Sequence, residues 1–258
     1  MTSARGEATE IARYASGAAR AVYVFGGDGT FNEVLNGIDA KTTVGFVPGG
    51  GASVLPRALG LPNDPVAAAR RLATGSARQI NVGRVNGRRF AFACGIGLDA
   101  EVVRAVDELG RRADGRRPSN VRFALTGVRT LGRHRFNLEP ALEVVGRGRA
   151  AFALISNGPV YTYAGRTAVR PAPHASFDKG LDLVGPVRLR SRELPRFVWY
   201  AFGRGDRSSD ANLVYVHDAD RLEIVCDRPM PLEADGEDLG DVERAVVESE
   251  PAAITVLV

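Results

Sequence analysis

Cysteine, histidine and lysine are scarce in this chain of 258 residues, and no apolar run is long. Its two cysteines, Cys94 and Cys226, cannot supply the several bridges that staple small secreted domains, and their apolar, strand-like surroundings read as buried thiols. The three histidines, His134, His174 and His217, are isolated in sequence, so no zinc-ligand spacing exists. The longest apolar stretches, 90–98 and 150–155, fall well short of the roughly 18 residues that a membrane-spanning helix needs. The first ten residues carry two acids and no apolar segment, unlike a secretory signal, which points to a cytoplasmic location.

What is present is a globular composition, 45% apolar and 25% charged with 30 glycines, sufficient for one large domain or two small ones. Only Lys41 and Lys179 among the 34 basic residues are lysine, and the net charge is +4. Its distribution is uneven: ten arginines between 111 and 149 face three acids, whereas 218–250 holds twelve acids against Arg221, Arg228 and Arg244. A basic stretch suits phosphate, anionic lipid or nucleic acid. With no RNP-like, zinc-finger or helix-turn-helix pattern beside it, nucleic acid is not expected.

Residues 1–77 alternate helix and strand. Ala8, Ile11, Ala15 and Ala18 recur at helical spacing in 7–20, and 21–25 (AVYVF) reads as a short buried strand. Gly26-Gly27-Asp28-Gly29-Thr30 then opens a helix. A second strand at 43–47 leads into Pro48-Gly49-Gly50-Gly51-Ala52 and a helix capped by Ser53, and Asp64-Pro65 caps another that ends near Gly75. Strand, glycine-rich turn and helix, repeated, predict a parallel α/β sheet. Residues 78–258 follow another grammar. Asn86-Gly87 between 79–85 and 88–94 predicts a hairpin. Further strands are expected at 142–145, 151–155, 181–187, 213–216, 222–226, 245–248 and 254–258, with helices at 99–109, 120–131 and 191–202. This half should be mostly antiparallel.

A glycine-rich turn between a buried strand and a helix gathers backbone N–H groups at the positive end of the helix dipole, where an anion is favoured. Two such turns fall at the carboxyl edge of one parallel sheet, the edge where α/β proteins place ligands. Asp28 within the first is unsuited to a bare phosphate cradle. A carboxylate there needs a divalent cation beside it, or accepts a proton from an attacking group.

The segment from Phe25 to Gly37, FGGDGTFNEVLNG, resembles the GGDGT segment of the diacylglycerol kinase and sphingosine kinase catalytic family, bacterial lipid kinases included. Arg57-Ala58-Leu59-Gly60-Leu61-Pro62, Gly95-Ile96-Gly97-Leu98-Asp99-Ala100, Ser156-Asn157-Gly158, Asp178-Lys179-Gly180-Leu181-Asp182 and Glu233-Ala234-Asp235-Gly236-Glu237 follow the family's order, so the resemblance spans nearly the whole chain. It implies an N-terminal α/β nucleotide-binding domain (1–77), a C-terminal β-sandwich (78–258) and an active site in the cleft between them. The implied activity is ATP- and Mg²⁺-dependent phosphorylation of a diacylglycerol-like hydroxyl at the inner membrane surface, by a peripherally bound enzyme whose oligomeric state is open, a homodimer included.

By the same resemblance, Gly26, Gly27, Gly29 and Thr30 contact ATP phosphates, Gly49, Gly50 and Ser53 complete the nucleotide site, and Glu33 orients the site or its metal. Asp235 is the first choice of general base, with Asp28 its rival and Glu237 beside it; in an extended segment Asp235 and Glu237 would face the same way. Asp178 and Asp182 would hold a further Mg²⁺. The family pattern has a strand, an Asn-Pro turn, a helix and another strand ahead of the first helix seen here. Its PGGxTN-like loop reads Pro48-Gly49-Gly50-Gly51-Ala52-Ser53, which keeps backbone donors and removes the amide side chain, and Glu7 stands where a His is sometimes found. A relative that binds nucleotide or lipid without turnover is the alternative, and an NAD kinase, which shares a GGDG-type turn, a third.

Overall fold

The computed structural model describes residues 6–110, 120–205 and 209–258, together with Thr2, Ala4 and Arg207. The first unit runs α1 (Glu7–Ser16), β1 (Ala21–Gly26), α2 (Asp28–Leu35), β2 (Thr43–Pro48), α3 (Val54–Ala58) and α4 (Pro65–Ala73). The second begins with β3 (Ala77–Val85), β4 (Arg88–Phe90), β5 (Ala93–Ile96), α5 (Leu98–Glu108) and α6 (Asn120–Arg133). It continues through β6 (Asn137–Leu138), β7 (Leu142–Val144), β8 (Gly148–Ala150), β9 (Ala153–Ser156), β10 (Thr162–Ala164), β11 (Thr167–Val169), β12 (Leu181–Pro186) and β13 (Leu189–Arg190). The chain closes with α7 (Leu194–Ala201), β14 (Leu213–Ala219), β15 (Arg221–Ala234) and β16 (Glu237–Leu257). The arginine-rich stretch expected from 111 onward begins outside the described residues, in 111–119.

The N-terminal α/β unit and the C-terminal β-sandwich share one main sheet, ordered β1-β2-β16-β15-β5-β9-β12-β14. β1 and β2 are parallel, as the repeated strand-turn-helix grammar predicts, and the end of β16 lies parallel to β2 through Thr255↔Thr43 and Val256↔Val44. The chain's last strand is thus part of the first unit's sheet, a pairing that a division by residue number at 77 does not anticipate. The strands expected at 245–248 and 254–258 are one continuous strand, β16, here. Its bulge between Glu250 and Ile254, with Ala252 at φ 50, carries the strand from the sandwich into the α/β sheet.

One core runs from the first unit into the second, joining Phe31 and Phe46 to Phe92, Phe152 and Phe177, and another lies within the second unit. In the first, Phe31 and Phe46 meet edge to face with centroids 5.1 Å apart, and Leu35, Val44, Ile254 and Val256 close around them. Each such fully buried side chain contributes about 1.5–3 kcal/mol. Ile96, Leu142, Ile155, Leu183 and Ile224 anchor the second. Asp64 caps α4 as expected, accepting the Ala67 N–H at 2.8 Å with Pro65 in the first turn. Asn86 and Gly87, at φ 46 and 90, make the two-residue hairpin turn between β3 and β4. Its second arm ends sooner than expected, at Phe90, because β5 is claimed by β15 and β9 instead.

Candidate active site between the two units

β1 ends at Gly26 and α2 starts at Asp28, with Gly27 extended at the N-cap. The first helical hydrogen bond runs from the Phe31 N–H to the Gly27 carbonyl at 3.0 Å, so the N–H groups of Asp28, Gly29 and Thr30 precede the intrahelical ladder. The second glycine loop is fastened to the first by the Gly49 N–H, which donates to the Gly26 carbonyl at 2.7 Å. A Cβ on Gly50 would stand 2.8 Å from the Gly27 Cα, so the close approach of the two backbones requires glycine.

Ser53 does not cap α3 as its sequence position predicts. It sits at φ 46, fully buried, and its hydroxyl donates to the Gly50 carbonyl at 3.1 Å. The Leu55 N–H near the start of α3 turns to Asp28 Oδ1 at 3.3 Å instead. Asp28 therefore links the two loops, and Ser53 shapes the second from within.

The Asp235-Gly236-Glu237 segment arrives from the other unit. Asp235 and Gly236, at φ 50 and 78, are the central residues of a tight turn between β15 and β16, with Ala234 opposite Glu237. The expectation of an extended segment fails here, and with it the inference that both carboxylates share a face. Asp235 is 2% exposed and points into the protein. Its Oδ2 accepts Asn32 Nδ2 at 2.9 Å and the Ala91 N–H at 2.6 Å; its Oδ1 accepts the N–H groups of Phe92 at 2.9 Å and Ala93 at 3.2 Å. Three successive N–H groups form a nest that the protein's own carboxylate fills. Burial raises the Asp235 pKa, and these donors oppose the rise. Such a carboxylate holds two units together; its oxygens face protein donors on every side.

Glu237 turns instead toward the first unit. A Cβ on Gly29 would stand 2.7 Å from Glu237 Oε1, which brings the second unit's carboxylate against the first turn of α2. Its Oε2 accepts Arg88 Nη2 at 2.8 Å, and the same nitrogen donates to Asn32 Oδ1 at 2.7 Å. Asn32 also donates to the Arg89 carbonyl at 3.0 Å. Asn32 and Arg88 complete the site although sequence reasoning passed over both. The Asn86-Gly87 turn fixes where Arg88 lies in its hairpin, but nothing local tells that the hairpin lands against α2.

Behind this layer a second acid pair is buried. The Tyr161 hydroxyl lies 2.7 Å from Asp99 Oδ2 and 3.2 Å from Glu233 Oε1, while Glu233 Oε2 accepts the Gly236 N–H at 2.8 Å. One phenol carries one proton, so serving both carboxyls requires a proton on one of them. Burial pushes both acids up, Glu233 well above the ordinary carboxylate range, where the charge of Asp99 adds to the effect.

The remaining expected residues lie elsewhere. Glu33 is turned away from the glycine loops and accepts the Ala8 N–H at 3.1 Å at the start of α1, which removes it from the phosphate site. Asp178 pairs with Arg78 on the surface, while Asp182 is fully buried and bound to His217 Nδ1 at 2.8 Å and to the Asp218 N–H at 3.0 Å. Among the described residues no group of three His, Cys, Asp or Glu is arranged around a common metal position.

Comparison with known proteins matches this architecture. Residues 1–85 match the diacylglycerol kinase catalytic domain, and residues 93–258 match the YegS C-terminal NAD kinase β-sandwich-like domain. A diacylglycerol kinase of Bacillus subtilis (strain 168) is 30% identical over 247 residues, covering 92% of this chain and 77% of that protein. A crystal structure of a diacylglycerol kinase from Bacillus anthracis str. Sterne superposes with a TM-score of 0.71 at 19% identity, over 99% of this chain and 82% of the other. An NAD kinase of Archaeoglobus fulgidus in complex with ATP shares the fold more distantly, with a TM-score of 0.51 at 11% identity over 93% of this chain and 78% of the other. Two glycine loops closed by an acidic turn from a β-sandwich, in a chain that matches both domain families over nearly its whole length, make this protein a member of the diacylglycerol kinase family.

Proposed function

We propose that this protein is an ATP-dependent lipid kinase that transfers the γ-phosphoryl group to a hydroxyl of a diacylglycerol-like lipid. One observation carries the reading: Glu237 of the second unit stands against Gly29, at the helix end where the first unit gathers its backbone donors. Phosphoryl transfer asks a protein chiefly to position phosphates, neutralise charge and accept the proton of the attacking hydroxyl. The N–H groups at the start of α2 and the fastened loop at Gly49 and Gly50 suit the phosphates, and Thr30 adds a hydroxyl in the same turn. Asp28 and Glu237 frame the phosphate end from the two units. With Asp235 enclosed by four N–H donors, we assign the role of base to Asp28, with Arg88 holding Glu237 in place.

Mg²⁺ usually takes one or two carboxylates together with substrate phosphates. With Asp28 as base, Glu237, which stands against the first turn of α2, is the carboxylate suited to it here, and the ion would supply neutralisation of charge between the phosphates. A second reading, nucleotide binding without turnover, is favoured by Ser53, whose hydroxyl is committed inward to Gly50. Transfer from [γ-³²P]ATP to diacylglycerol in detergent micelles tests the proposal, with NAD as the rival acceptor. Labelled lipid that disappears in Asp28→Asn and Glu237→Gln supports it; ATP binding with no labelled product, or labelled NADP, overturns it.

A further inference from the structure

The surface of α7 does not resemble the outer face of an ordinary helix. Val198, Trp199 and Phe202 are 50%, 52% and 40% exposed on consecutive turns of a short amphipathic element. Together with Thr167, Pro195 and Arg204 they line an open cavity of about 330 Å³. Contiguous exposure of large apolar side chains marks a surface with an occupant, whereas scattered single residues need none.

The charge around the patch narrows the choice of occupant. Of the five arginines between 190 and 207, Arg207 is buried, Arg190 pairs with Glu139 at 3.7 Å, Arg192 meets Glu193 at 3.6 Å, Arg196 meets Asp210, and Arg204 stands at the patch itself. Glu193 accepts the Arg190 N–H at 2.8 Å, and Asp210 meets Arg196 at 3.3 Å and the Tyr200 hydroxyl at 2.9 Å. Arg192 is 76% exposed, and the Arg204 guanidinium lies 4.8 Å from the centre of the Trp199 ring, at the lip of the cavity. Tryptophan beside exposed Val198 and Phe202, with Arg204 at the margin, has the chemistry of a bilayer interface, the ring at headgroup level and the guanidinium on a lipid phosphate. A second copy of this chain is a poorer fit, since a two-fold contact through the same patch would oppose arginine to arginine.

Position joins the patch to the active site. Arg57, on the helix that follows the second glycine loop, places its guanidinium 3.3 Å from the centre of the Tyr163 ring and donates to the Gly165 carbonyl at 3.4 Å. Tyr163 and Gly165 belong to the β10–β11 hairpin, whose Thr167 is part of the cavity wall. One hairpin thus spans from the nucleotide loops to α7.

We propose that α7 and the adjoining β10–β11 hairpin form the membrane-docking face, which seats Val198, Trp199 and Phe202 in the interfacial zone of an anionic bilayer. This proposal rests on the lipid-kinase reading for its purpose, while vesicle binding can be measured without ATP. Trp199 is the only tryptophan, so intrinsic emission reports its surroundings directly. With the full chain and vesicles containing phosphatidylglycerol, the emission shifts to the blue and is quenched by brominated acyl chains, and binding is roughly tenfold weaker on phosphatidylcholine alone. Val198→Ser/Phe202→Ser, checked for fold by circular dichroism, retains the reporter and loses the binding. Arg192→Gln/Arg204→Gln loses the preference for anionic lipid.

An emission unmoved by anionic vesicles overturns the proposal. So does a blue shift that depends on protein concentration without vesicles, which would assign the patch to self-association. Phosphorylation of a dispersed short-chain diacylglycerol separates the two readings. Transfer without vesicle binding refutes the docking face alone, and vesicle binding without transfer supports the face while refuting the kinase.

Discussion

Asp235→Asn separates the two roles that the acidic turn could play. In the fold, Asp235 accepts four N–H donors, two on each oxygen, from Asn32, Ala91, Phe92 and Ala93. Asparagine offers one oxygen and one amino group, so in either orientation two buried donors face an N–H instead of an acceptor. Each buried donor left unsatisfied costs about 1–3 kcal/mol, and the two retained bonds lose their charge assistance. Relief of the buried charge, which raises the Asp235 pKa, offsets part of this. A net loss of about 3 kcal/mol follows, equivalent to a fall in Tm of about 6–12 °C for a chain of this size. Asn32 cannot flip to compensate without surrendering its bond to Arg88.

The assay is a thermal melt by circular dichroism, paired with lipid phosphorylation measured well below the melt. The expected variant melts early and keeps measurable turnover at low temperature, whereas Asp28→Asn melts near wild type and loses turnover by about 100-fold or more, the usual scale for a catalytic proton acceptor. An Asp235→Asn protein with unchanged Tm and abolished turnover would refute this reasoning and return the base to Asp235.

Three further outcomes follow from the same geometry. Gly29→Ala puts a Cβ 2.7 Å from Glu237 Oε1, the movable end of a side chain, so turnover should fall more than tenfold while Tm shifts by only a few degrees; a large loss of Tm would show that the contact is rigid packing. Arg88→Met removes the donor shared by Asn32 and Glu237, and at about 1.5–3 kcal/mol for a hydrogen bond to a charged group it should lower kcat roughly 10- to 100-fold with little change in KM for ATP. For Glu233, burial and the charge of Asp99 raise the folded-state pKa above its unfolded value, so its favourable contribution is complete at low pH and lost as pH rises through the folded value. Urea titrations between about pH 5 and pH 8 should therefore show wild type losing stability relative to Glu233→Gln, by at most about 1.4 kcal/mol per pH unit, and parallel curves would contradict the shared proton.

The elements of the first unit were legible because their signals are local. Glycine-rich turns, the Asp64-Pro65 cap and the apolar runs at 21–25 and 43–47 each act within a few residues of themselves, and the structure keeps the elements with small changes at their ends; β1 is not the buried strand expected, because it lies at the sheet edge with Tyr23 and Phe25 exposed. Asn86-Gly87 foretells its turn for the same reason, and Asp235-Gly236 carries the same turn chemistry; of the two conformations open to that segment, extended or an acidic turn between strands, the fold takes the turn. The short pairs β6–β13 and β10–β11 were missed, since two or three residues of strand have no periodicity to read.

By itself the sequence determined the two-unit architecture, the pair of glycine loops and the scarcity of groups for zinc or disulfide chemistry. Only the tertiary structure decided which way Asp235 and Glu237 face, because the direction of a carboxylate depends on donors from distant segments. Ala91, Phe92 and Ala93 enclose Asp235 from about 140 residues away, and Arg88 meets Glu237 across a similar separation. The single tryptophan carries no signal in the sequence itself. In the fold, Trp199 sits exposed on α7 with the Arg204 guanidinium over its ring, a juxtaposition that only the packing of the chain creates.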